Sequence, residues 1–148
     1  MKLPICIGCL FLAIAGMAQK TEVIQEKWHT HTADIQKRAM KIKYGESRTK
    51  KEHTQNVTEI GKQLDSAIVE HEELKKSIPR KDREKVKNQT LAIDKHQLEA
   101  RKQTEALKSE LAKDKHDEMI IRHHAARLQV SMEKANKEQE ILKEKTSK

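Results

Sequence analysis

Histidine is the residue type in this chain best placed to do chemistry: eight occur among 148 residues. His116, His123 and His124 stand beside Asp117 and Glu118, and His116 is seven residues from His123, which puts both on one side of a continuous helix. A transition metal needs three or four ligands converging on one point. These three imidazoles are therefore the candidate metal ligands, and a His-based metal-binding protein is one reading of the chain. The simpler expectation is that they are solvated imidazoles on a helix surface, with no cofactor. The His-Glu-x-x-His pattern of zinc enzymes does not occur, and His29 and His31, two apart, point to different helix faces. There is also no nucleophile elbow and no glycine loop for phosphate, so the chain is expected not to be an enzyme.

The second feature is charge. Between Lys75 and Lys87 seven basic residues (Lys75, Lys76, Arg80, Lys81, Arg83, Lys85, Lys87) face only Asp82 and Glu84. A second cluster, Lys37 to Lys51, sets Lys37, Arg38, Lys41, Lys43, Arg48, Lys50 and Lys51 against Glu46 alone. Such patches attract anionic surfaces or acidic proteins, with strong salt dependence. The first cluster surrounds Pro79 and is the candidate partner-binding site.

These groups must be carried by helices. Pro79 is the only proline after residue 18, and Gly45 and Gly61 are the only glycines there, so turns are few and helices long. Val57, Ile60, Leu64, Ala67, His71, Leu74 and Ile78 alternate in steps of three and four, the heptad seam of a coiled coil. A second seam begins at Val86 and continues through Ile93, Ala100, Leu107, Ile121, Leu128, Ala135 and Leu142 at sevenfold spacing, with Asp114 in one slot. Its alternate positions are Thr90, Gln97, Thr104, Leu111, Glu118, Ala125, Met132 and Gln139. Thr, Gln, Asp and Glu thin this seam, while Leu91, Leu98, Ile120 and Val130 flank it and widen the contact surface. Farther upstream Ile24, Trp28, His31, Ile35, Ala39 and Ile42 mark one more helical face.

The expected fold is all-α: a long antiparallel helical hairpin or coiled coil with a kinked or separate N-terminal helix. Helices are expected over about 21–44, 47–77 and 80–145, with a break near Gly45, Ser47 as the N-cap of the second helix, and the main reversal at Ser77–Pro79, because a residue before proline avoids the helical region. An unbroken helix from Pro79 to Lys145 would reach ~100 Å. The stretch Asp114–Glu118 is the place where it would bend or loop out.

Residues 1–18 read as a secretory signal. Lys2 precedes an uncharged apolar run from Ile5 to Ala15, and Gly16-Met17-Ala18 places small residues before Gln19. The run is too short to span a bilayer comfortably, so no transmembrane segment is expected after cleavage. Removing it leaves 130 residues with a net charge of +7 and no cysteine. Leu, Ile, Val and Phe then make only 18% of the chain, whereas Ala, Glu, Lys, Leu and Arg make half. That composition belongs to long helices, not to a compact enzyme core.

In size, basic charge and helical-hairpin content the chain resembles the Skp-type periplasmic chaperones, but it lacks a β segment for their trimerising base. In size and helical content it is similar to the small exported subunits of conjugative type IV secretion systems. The signal at residues 1–18 implies an exported protein, periplasmic or extracellular, and the long helices one that acts by contact. The expected role is a structural or adaptor subunit of a cell-envelope, secretion or conjugation assembly, with a holdase-type chaperone using the basic tip as the alternative. The expected partner is a protein, another copy meeting it through the seams, or an anionic envelope surface. Nucleic acid is not expected, since Trp28 and Tyr44 are the only aromatics left to stack on bases.

Overall fold

The computed structural model describes the backbone of residues 7–146 and the side chains of residues 19–146. Residues 1–6 of the expected export signal, and all of its side chains, lie outside the described residues. Four helices follow one another: α1 (Ile7–Lys43), α2 (Lys50–Ser77), α3 (Arg83–Ala112) and α4 (Glu118–Thr146). There is no strand among the described residues, and no described helix is long and apolar enough to cross a membrane.

Each connection has a local cause. Gly45 adopts φ +72, a left-handed conformation open to glycine at little cost, and turns the chain after α1. Glu46 N–H then bonds back to the Lys41 carbonyl at 2.9 Å. Thr49 starts α2 with a reciprocal cap: its hydroxyl accepts from Glu52 N–H at 3.1 Å, and the Glu52 carboxylate accepts from Thr49 N–H at 3.1 Å. The cap is Thr49, not Ser47, because only Thr49 has a glutamate three residues on; Ser47 is buried and its hydroxyl accepts from Asn56 instead. Ile78, held extended by Pro79, ends α2.

The third connection corrects the expected helix over 80–145, which is two helices separated by residues 113–117. No glycine or proline breaks it. Instead Glu110 Oε1 accepts from Asp117 N–H at 2.9 Å and Glu110 Oε2 from Lys113 Nζ at 2.5 Å, which folds the chain back on the end of α3. Asp117 Oδ1 accepts from Met119 N–H at 2.8 Å and Ile120 N–H at 3.3 Å, satisfying the first free amides of α4. With three reversals the architecture is a four-helix bundle rather than one long hairpin. Neighbouring helices run antiparallel, α1 packing on α2 and α4, and α3 on the same two.

The seams fill the middle. Every position from Val57 to Ile78 in the first seam is buried, as are Val86, Ile93, Ala100, Leu107, Ile121, Leu128, Ala135 and Leu142 of the second. Trp28, Ile35, Ala39 and Ile42 complete the core from α1. Fully burying one Leu or Ile side chain contributes about 1.5–3 kcal/mol, so covering both seams within one chain is the main driving force for this fold. The polar seam positions are handled unevenly. Gln97 Nε2 donates to the Ala67 carbonyl at 3.3 Å and the Thr104 hydroxyl to the Ala100 carbonyl at 2.9 Å. Gln139, equally buried, has no partner for either amide atom among the described residues.

Candidate functional site

The seven basic residues around Pro79 do gather at one end of the bundle, where α2 passes into α3, but they are not equivalent. Lys75 Nζ bonds Glu72 at 2.5 Å and Asp94 of α3 at 3.1 Å. Partial burial works against its charge, yet those two carboxylates outweigh it and hold the ammonium above the ordinary lysine pKa. Lys75 therefore ties α2 to α3. Arg83 Nε donates to the Ile78 carbonyl, Lys85 pairs with Asp82 at 2.8 Å, and Lys87 approaches Glu84 at 3.4 Å. Lys76, Arg80 and Lys81 are exposed and reach outward. The antiparallel packing adds Lys145 from α4, whose Nζ donates to Gln89 at 3.0 Å. The sequence could not assign Lys145 to this end while α3 and α4 were read as one helix. The second cluster divides between the last turns of α1 and the first of α2, where Arg38 pairs with Asp34 and Lys43 donates to Gln129 of α4.

The histidines are dispersed. His116 lies in the α3–α4 connection, His123 is exposed on α4, and His124 Nδ1 lies 2.7 Å from Gln103 Oε1 of α3. The break at 113–117 separates His116 from the helix that was to align it with His123. His116 instead shares an acidic partner with His53, since both Nε2 atoms lie 3.2 Å from Glu118 Oε1. Both rings aim at that oxygen rather than at a common open point, and the Nδ1 atoms of both are buried without a partner. A metal-bound histidine normally uses its second nitrogen to donate to a carbonyl or carboxylate. No group of three or more His, Cys, Asp or Glu side chains among the described residues is arranged to hold a metal ion.

Three histidine–carboxylate contacts bridge neighbouring helices. His31 of α1 meets Glu70 of α2 at 3.2 Å, His53 of α2 meets Glu118 of α4, and His71 of α2 meets Asp94 of α3 at 3.2 Å. His71, a seam position, is fully buried. Its Nε2 is close to Asp94 but not aligned for a hydrogen bond. Burial lowers its pKa; Asp94 opposes that shift and Lys75 reinforces it.

One surface was not singled out from the sequence as a site. On the outer side of α3 and α4 lies a groove of about 580 Å³. Lys95, Lys102, Arg127 and Lys134 border it, against one carboxylate, Glu99, which Arg127 holds at 2.9 Å. Leu98 and Val130, two of the residues expected to widen the seam contact, are 56% and 45% exposed here. Two part-buried imidazoles lie beside it. Burial chiefly, then Lys134, lowers the pKa of His96, with Glu138 opposing; burial chiefly, then His123 and Arg127, lowers that of His124, with Glu110 opposing. The seven-residue spacings 91/98, 95/102 and 127/134 were the available signal, visible as rows only once α3 and α4 are known to lie side by side. Comparison with models of protein families, with curated proteins and with solved structures finds no match for this chain.

Proposed function

We propose that the chain is an exported, non-enzymatic helical protein that serves as a structural or adaptor subunit of a cell-envelope or secretion assembly. One observation carries this reading. The two seams and the α1 face from Ile24 to Ile42 bury one another, which leaves a helical bundle whose outer faces are what a partner would meet. The outside of that bundle is charged, and its outward-reaching Lys76, Arg80 and Lys81 offer one end to an acidic protein or an anionic surface. Both seams are covered within the chain, so a partner would meet the outer faces.

The test is to express the full chain in its source cell, fractionate it, and measure the mass and N-terminus of the product. The reading requires a chain beginning at Gln19 outside the cytoplasm and reproducible co-purification with one envelope assembly. An intact Met1 chain in the cytoplasm would overturn it, as would exported protein with no reproducible partner. A second reading, a holdase-type chaperone, is favoured by the exposed apolar side chains Leu91, Leu98, Met119, Ile120 and Val130. It requires suppression of aggregation of unfolded envelope proteins at low salt.

A further inference from the structure

We infer that the groove between α3 and α4 is the docking site for an acidic amphipathic helix of a partner protein. This rests on the adaptor reading for its biological setting, but not for its chemistry. Three observations converge. First, charge: Lys95, Lys102, Arg127 and Lys134 border the groove, and the single carboxylate among them, Glu99, is already engaged by Arg127. The unmatched charge is positive, and its complement is acidic. A second copy of this chain, carrying a net +7 after cleavage, is a poor match for that field.

Second, apolar surface: Leu98 and Val130 stand in the groove more than two-fifths exposed, so the occupant must carry apolar side chains between its carboxylates. A polyanion such as polyphosphate would leave them in water. Third, spacing: Lys95 and Lys102 are seven residues apart on α3, as Arg127 and Lys134 are on α4. Seven residues of helix rise about 10.5 Å, the repeat at which a third helix presents the same heptad position. Each wall thus carries an exposed apolar side chain between two cations, Leu98 on α3 and Val130 on α4, which matches a helix with heptad-spaced Leu flanked by Glu, the helix-in-groove mode of recognition.

The experiment titrates the whole protein with three probes: a synthetic helix carrying heptad-spaced Leu flanked by Glu, a scrambled peptide of the same composition, and polyglutamate. Binding is followed by fluorescence anisotropy, and the binding face by amide chemical shifts. The ordered helix should bind at least about tenfold more tightly than either control. The double variant Lys95→Glu/Lys134→Glu should weaken binding by about tenfold or more, while Arg80→Glu/Lys81→Glu at the bundle end should leave it unchanged. Leu98→Ser and Val130→Ser should each weaken it too; both side chains are exposed, so the fold should persist, as circular dichroism would verify. Equal binding of the scrambled peptide, no binding of the helix, or loss of binding only on reversal of Arg80 and Lys81 would each overturn the proposal. Failure of export would sink the adaptor reading and leave this result standing, and the converse also holds.

Discussion

Proline at Lys115 should be nearly harmless, whereas proline at Lys102 should be severe. In a helix interior proline removes one hydrogen bond and its ring strikes the carbonyl four residues earlier, which costs ~3 kcal/mol. Lys102 is exposed in the middle of α3, so Lys102→Pro should cost about that amount with little contribution from lost packing. Lys115 lies between the end of α3 at Ala112 and the start of α4 at Glu118. The bonds that shape this turn run from Lys113 N–H to the Glu110 carbonyl and from Asp117 N–H to the Glu110 carboxylate, so they do not use the Lys115 amide. Lys115→Pro should therefore cost less than ~1 kcal/mol. Urea unfolding followed by far-ultraviolet circular dichroism reads both values from the midpoint, provided the slope is unchanged. In a domain of this size the Lys102 variant should also melt ~10 °C lower, and the Lys115 variant within a few degrees of the parent. Equal losses would refute the turn and restore a single helix from residue 80 to 145.

Four further outcomes follow from the packing and the charges. Leu128→Ala should cost about 2–5 kcal/mol in urea unfolding, since Leu128 is fully buried at the heart of the core. Gln139→Leu should raise the unfolding midpoint, because it replaces a buried amide with no partner by an apolar group of similar size; the gain is about 1–2 kcal/mol. Thr49→Ala should lose about 1 kcal/mol by opening the reciprocal cap of α2. The fourth outcome concerns acid. Burial holds the folded pKa values of His71, His96 and His124 below the ordinary histidine range, so the unfolded chain takes up their protons first. Stability should thus be complete above about pH 6.5 and fall as the pH drops through that value. His71→Leu should flatten the slope in that range. Glu70, whose carboxyl is raised by burial, acts with the opposite sign nearer the carboxylate range, where Glu72 and Glu110, held low by Lys75 and Lys113 respectively, restore the loss of stability with acid.

Much of the core was legible because heptad spacing states which side chains must meet. Val57 through Ile78, and Val86 through Leu142 apart from Asp114, are the positions the bundle covers. The α3–α4 break falls on the stretch expected to bend, but the same regularity hid that it is a full reversal. Leu107 and Ile121 are fourteen residues apart, so the register continues across residues 113–117 although the helix does not. Its stop is made by Glu110 and Asp117 turning their carboxylates onto backbone amides, and acidic residues give no such signal in a helix-rich sequence. That one turn decides the rest. It separates His116 from His123, brings Lys145 to the basic end, and sets Leu98 and Lys102 beside Val130 and Arg127 in a groove. The basic end itself was visible as a charge run, but Lys75, Arg83 and Lys85 were already committed to Asp94, Ile78 and Asp82, partners that only the folded chain reveals.

The central claim is that the two seams and the α1 face close on one another within a single chain, leaving the outer faces to meet partners. Thermal unfolding of residues 19–148 at two protein concentrations about a hundredfold apart tests it most directly. The bundle predicts a strong helical signal and one midpoint at both concentrations. A midpoint that rises with concentration would mean that the seams close between chains, and would contradict the claim.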